Sequence, residues 1–166
     1  MQKVRPYDAS ESSPGSQVNS VRDSKLFGTD QTVVALLADA QVWAVVGLGT
    51  DPEKPVYRVA QFLQRMGKTV VPIHPRGVDV LGCHTYTSLT EAVVDHEIDV
   101  VDCFVAATRV GSIVDEAIQL GLPAVWMQLE IVDEMAAARA VEHGLQVVMD
   151  RCPAIEWPRL MVGREL

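Results

Sequence analysis

Bulky apolar residues fall into two kinds of run along the chain. Short, nearly unbroken runs cover residues 42–47, 69–73, 99–105, 123–128 and 146–149, each of strand length and too short to cross a bilayer. Between them apolar positions recur every three or four residues: Val56, Val59, Ala60 and Leu63 ahead of Gly67, then Val110, Ile113, Val114, Ala117 and Ile118 ahead of Gly121. That spacing gathers them on one helical face, and a glycine just past the last of them is a common helix stop. A further helix is predicted over residues 131–143, closed by Gly144, and a short one to about residue 95, where Ser88-Leu89-Thr90-Glu91 has capping-box spacing. An earlier helix begins near residue 31, with Val33, Val34, Leu36, Leu37 and Ala40 as its apolar positions and Asp30 in the N-cap place.

Strands that are apolar throughout, and not on alternate residues only, are buried on both faces, as in a parallel sheet covered by helices. Regular strand–helix alternation with right-handed crossovers therefore predicts a single-domain α/β fold, a Rossmann-like doubly wound parallel sheet. Ligands of such sheets bind beyond the carboxyl ends of the strands. Here those ends are residues 47–58, 74–77, 106–109, 128–131 and 150–153.

Composition sharpens the picture at the ends and on the surface. Residues 1–28 are rich in Ser, Gln, Asn and charge, too poor in apolar surface to repay the entropy of ordering, and are expected to form a flexible arm before a domain over residues 29–166. The net charge of −8, from 14 basic and 22 acidic residues, disfavours nucleic acid and anionic membranes as partners. With no hydrophobic signal core at the start, a cytoplasmic protein is expected. Cys83, Cys103 and Cys152 are odd in number and lack metal-ligand spacing, so reduced thiols are expected and neither a disulfide framework nor a metal site.

The first strand end carries the most chemistry. Gly47-Leu48-Gly49-Thr50 follows a strand and precedes a helix, where glycines admit unusual φ angles and leave room for phosphate oxygens against exposed N–H groups. Thr50 can add a hydroxyl donor, Lys54 and Arg58 positive charge, and Asp51 a brace for the turn. A plain tight turn with solvated charges is the competing reading. Two departures argue against NAD: Pro52 stands where the dinucleotide fingerprint has its third glycine, and the second strand ends in His74-Pro75-Arg76-Gly77 in place of a ribose-binding acid. Arg76 suits a phosphate on a ribose, either the 3′-phosphate of CoA or the 2′-phosphate of NADP.

The segment from Ala44 to Pro55 (Ala44-Val45-Val46-Gly47-Leu48-Gly49-Thr50-Asp51-Pro52-Glu53-Lys54-Pro55), then Val71-Pro72-Ile73-His74-Pro75, Ala124-Val125-Trp126-Met127-Gln128-Leu129 and Val148-Met149-Asp150-Arg151-Cys152-Pro153, resembles the small stand-alone CoA-binding domain family. That family is similar to the CoA-binding domain of the succinyl-CoA synthetase α subunit. The resemblance spans about residues 33–160 and implies a Rossmann-like fold with coenzyme A as ligand. It places phosphates at residues 47–54 and the adenosine end near His74, Pro75 and Arg76, with His74 standing where many relatives are expected to have Asn.

Catalytic residues are not evident. His84, His96 and His143 fall in loops or at a helix end without a nucleophile and carboxylate in sequence context, and are read as surface residues. Cys152 follows Arg151, which admits a reactive thiol able to exchange with the thiol of CoA; the plainer reading is a small buried residue beside an Asp150–Arg151 pair that braces the turn. Arg109 either reaches the ligand from the third strand end or solvates its helix, and Trp126 is read as core. The expected function is CoA or acyl-CoA binding as a sensor, carrier or accessory subunit, with a second copy or an acyl-CoA enzyme as partner. The alternatives are an NADP-dependent oxidoreductase, supported by Arg76 alone, and an interaction module with a vestigial pocket.

Overall fold

The computed structural model describes residues 21–164. Its centre is one sheet of β1 (Val42–Val46), β2 (Thr69–Ile73), β3 (Val100–Cys103), β4 (Ala124–Met127) and β5 (Gln146–Val148), ordered β2-β1-β3-β4-β5 with every pairing parallel. The chain winds outward from β1 to β2, returns to β3, and winds the other way through β4 to β5. The reversal places helices on both faces, as the apolar strands require.

One face carries α2 (Asp30–Asp39), α3 (Pro55–Arg65) and α7 (Pro153–Leu160) over Trp43, Val45 and Trp126. The other carries α1 (Ser24–Phe27), α4 (Leu89–Ala92), α5 (Ala107–Gln119) and α6 (Glu134–Glu142) over Ala44, Val46, Val101, Val125 and Met127. Trp43 and Trp126 are fully buried with ring centroids 5.6 Å apart, and each indole N–H donates to a backbone carbonyl, of Ala40 and Arg151 respectively. Trp126 is thus core, with its polar atom satisfied.

Several boundaries move for identifiable reasons. Thr29, not Asp30, caps α2, its hydroxyl accepting from the Thr32 N–H at 3.1 Å; Asp30 is the first helical residue. The helix expected from residue 131 starts at Glu134 because Asp133 caps it through the Ala136 N–H at 2.9 Å. The short helix expected to about residue 95 ends at Ala92. The expected arm covers residues the structure shows folded: Ser24–Phe27 is helical under an Asp23 cap and Phe27 is buried against the sheet, while residues 1–20 lie outside the described residues. Helix α7, whose sequence had suggested no helix, starts at Pro153 and contains Pro158. No helix among the described residues is long and apolar enough to cross a membrane.

Candidate functional site

Where the strand order reverses, between β1 and β3, the carboxyl ends of the strands open on a cavity of about 1190 Å³. This is the crevice where open parallel sheets bind ligands. Every strand end contributes: Gly47 and Gly49 after β1, His74 and Arg76 after β2, Phe104 and Val105 after β3, Gln128 to Ile131 after β4, and Asp150 and Cys152 after β5.

The β1–β2 end brings together the glycine loop, the start of α3 and the His74–Arg76 segment. Gly47 has φ +94°, donates its N–H to Ile73 O at 2.8 Å, and passes so close to β3 that a Cβ on it would overlap the Phe104 carbonyl. Its glycine identity is dictated by the fold. Gly49 differs: its φ is ordinary, and a Cβ there would meet only the His74 ring at 3.6 Å, so nothing in the chain itself demands glycine. The bare backbone there leaves room for a group approaching from the cavity. Just beyond, Lys54 is the N-cap of α3 with no side-chain cap bond, and Lys54, Pro55 and Val56 all line the cavity. Helices α1, α2, α4 and α6 are capped by Asp23, Thr29, Ser88 and Asp133, whereas α5 and α7, which also follow strand ends, share with α3 the lack of a side-chain cap. Pro55 has no N–H and the Tyr57 N–H turns back to the Lys54 carbonyl at 3.1 Å, so the first turn of α3 offers the Val56 N–H and the positive end of the helix dipole to whatever lies over Gly49. These residues fit the phosphates of a nucleotide cofactor.

His74 completes this end. Its Nδ1 accepts from the Arg76 N–H at 3.2 Å, which leaves the proton on Nε2, the atom nearest Gly49. One ring nitrogen braces the loop and the other offers a donor toward the glycine turn. Asp51 braces the turn as expected, accepting from the Glu53 N–H at 3.0 Å.

The opposite end is more apolar, with Phe104, Val105, Leu129 and Ile131. Two of its backbones are held in the left-handed region, Glu130 at φ +65° and Asp150 at φ +57°, and the Glu130 N–H donates to the Asp150 carboxylate at 2.7 Å. Arg22 pairs with the same carboxylate at 2.7 Å. Beneath, the fully buried Asp102 accepts from Gln128 Nε2 at 2.6 Å, and burial pushes its carboxyl up to about 7. Neither Asp102 nor Gln128 stood out as a functional residue in the sequence. A carboxylate in the middle of the apolar run 99–105, past the Asp99 that opens it, was the available signal, since such residues are rarely fully buried unless paired.

Of the residues singled out beforehand, the cavity gathers Gly47, Gly49, Thr50, Lys54, His74 and Arg76. Four others do not line it. Leu48 is fully buried with the α2–α3 core, Arg58 turns back to Glu53 at 3.2 Å, and Pro75 and Arg109 are exposed and outside the cavity lining. Arg151 does not pair with Asp150: it binds Asp30 at 3.0 Å and the Gly28 carbonyl at 3.1 Å. Cys152 borders the cavity but is buried, and burial pushes its thiol up, the opposite of an activated thiolate. Of the remaining histidines, His84 and His143 are exposed and His96 half-buried.

Sheet order and switch-point cavity together define a Rossmann-like domain. Residues 41–158 match the family model described as a CoA binding domain, and the chain belongs to that family. The protein YneT of Bacillus subtilis is 31% identical over 109 residues, 66% of this chain and 79% of its own. A solved structure of the PH1109 protein redesigned for binding superposes with a TM-score of 0.76 at 33% identity, covering 83% of this chain and 95% of that one. The dinucleotide-forming acetyl-coenzyme A synthetase 1 of Candidatus Korarchaeum cryptofilum shares the fold at 22% identity and a TM-score of 0.61, with 70% of this chain matched to 28% of that one.

Proposed function

We propose that the chain binds coenzyme A, free or as an acyl thioester, in the switch-point cavity. The diphosphate lies against Gly49, Thr50 and the open first turn of α3, with Lys54 beside it; the phosphorylated adenosine end lies at His74 and Arg76. The observation that carries this reading is the uncapped α3 N-terminus, set beside a glycine that the fold does not need, in a chain of the CoA-binding domain family. The role we assign is non-catalytic, as a sensor, carrier or accessory subunit in the cytoplasm. A second copy or an acyl-CoA enzyme is the partner that would read the loaded state.

NADP is the second reading, favoured by Arg76 at the cavity wall, which suits a phosphate on either hydroxyl of a ribose. Calorimetric titration of the full chain with CoA, acetyl-CoA, NADP and NAD at one salt concentration separates them. Binding of CoA or its thioester with a Kd on the order of micromolar, with NAD and NADP silent, supports the proposal. Binding of NADP alone overturns it, and silence for all four moves the role to an interaction surface with a vestigial pocket.

A further inference from the structure

The cavity floor holds a pair that phosphate binding does not use. Asp102 sits in the middle strand, registered against Val45 on one side and Trp126 on the other. Strand alternation turns it to the α2–α3–α7 face, among fully buried apolar side chains. Its Oδ1 has the Gln128 amide, and its Oδ2 has no partner among the described residues. A buried carboxyl with one hydrogen bond is costly, and an apolar residue of similar size would pack there without that cost.

Gln128 is 4% exposed and borders the cavity. One N–H of its Nε2 is committed to Asp102 Oδ1, which sets the amide with its carbonyl Oε1 on the side away from the carboxylate. The buried side-chain atoms without partners among the described residues are Thr85 Oγ1 and Asp102 Oδ2; Gln128 Oε1 is not one of them, and no donor among the described residues reaches it, so it is open to the cavity. It lies two strands along from the glycine loop, about 10 Å at the usual strand spacing. Around it the walls are Phe104, Val105, Leu129 and Ile131. A ligand with its adenosine over β2 and its diphosphate over β1 lays its third part here. In CoA that part is the pantetheine arm, aliphatic carbon interrupted by amides, which matches apolar walls with one acceptor between them.

We infer that Gln128 accepts a hydrogen bond from an amide N–H of the pantetheine arm, and that Asp102 is the positioning residue that keeps the Gln128 carbonyl turned to the cavity. This rests on the CoA reading and adds to it the part of the ligand that tells CoA from its nucleotide half. An ionised Asp102 can only accept and so fixes the Gln128 NH2 on itself; a protonated one can also donate to Oε1, which frees the amide to turn, so the acceptor is held best by the ionised carboxyl. The other titratable groups near Asp102 are Cys152 ahead of α7 on the same face and Cys103, next on its strand and turned to the opposite face, both held neutral by burial.

The test titrates CoA and adenosine 3′,5′-bisphosphate, which lacks pantetheine, into the wild type, Gln128→Met and Asp102→Asn at about pH 6 and about pH 8. Gln128→Met is expected to weaken CoA about fivefold and leave the bisphosphate unchanged, which also shows that the variant is folded. In the wild type the preference for CoA over the bisphosphate is expected to be larger at the higher pH. In Asp102→Asn, whose amide can hold either face of Gln128, that pH dependence disappears. Unchanged CoA affinity in Gln128→Met, equal weakening of both probes, or a pH-independent preference in the wild type overturns the inference. A wild type that binds the bisphosphate and CoA equally overturns it while leaving the nucleotide site standing, and one that binds neither overturns the CoA reading beneath it.

Discussion

Two glycines two positions apart have opposite reasons for being glycine. Gly47 is held at φ +94° against the Phe104 carbonyl, so Gly47→Ala is expected to destabilise the chain by about 3 kcal/mol or more. Gly49→Ala meets only ordinary contact with His74 and is expected to cost less than about 1 kcal/mol. Gly49→Val then fills the space a phosphate would use and is expected to abolish CoA binding with the fold intact. Urea denaturation beside a CoA titration checks the pair; equal stability losses at both positions would contradict the division of roles. The sequence showed the glycine loop but could not separate these reasons, because the close approach comes from β3, more than fifty residues further on.

Asp102 makes a second residue-scale prediction. Its carboxyl titrates near 3.8 when unfolded and is pushed up to about 7 by burial in the native state. The native chain then holds a proton the unfolded chain has lost, so this residue's contribution to stability is complete below about pH 4 and is lost as pH rises through about 7. Asp102→Asn keeps a partner for Gln128 without the charge. It is expected to be more stable than the wild type at pH 8, on the order of a few kcal/mol, and to flatten the fall in stability between pH 4 and 7. Thermal melts across that range decide it, and a variant less stable than wild type at pH 8 would show that the ionised carboxylate is tolerated.

At the scale of elements, α7 is tied to α2 by charge. Arg159 and Arg151 both bond the Asp30 carboxylate, holding it down to about 2, and both also reach the buried Glu156. A carboxyl depressed in this way stabilises above its unfolded value near 4, and that contribution goes as pH falls through about 2. Asp30 is more than half exposed, so Asp30→Asn is expected to cost less than about 1 kcal/mol at neutral pH, with the difference from wild type vanishing near pH 2. A loss of several kcal/mol would make this network a main support of the fold, which the exposure argues against. Helix α7 was illegible because its two prolines and mixed charge hide its period, and its fixing partner, Asp30, lies more than a hundred residues away. Helix α1 is a single turn, too short for any period to show. The five strands were legible because burial on both faces leaves them almost continuously apolar.

On the scale of the molecule, the alternation of strands and helices was enough to predict a doubly wound sheet, and the β2-β1-β3-β4-β5 order supplies the reversal that opens the cavity. The glycine loop and the His74–Arg76 segment were legible as its walls because they stand at strand ends. Phe104 and Val105 were not, since the run 99–105 read as strand throughout; Gln128 and Leu129 lie in the strand end 128–131, but nothing local marks which residues there line the crevice. The central claim, that CoA lies along this edge of the sheet, is tested most directly by mapping amide chemical shifts of the labelled chain during CoA titration. The account predicts saturable shifts concentrated at residues 47–57, 74–76 and 128–131, with the α3 first-turn amides among the largest. Shifts confined to the opposite edge of the sheet, or none at millimolar CoA, would contradict it.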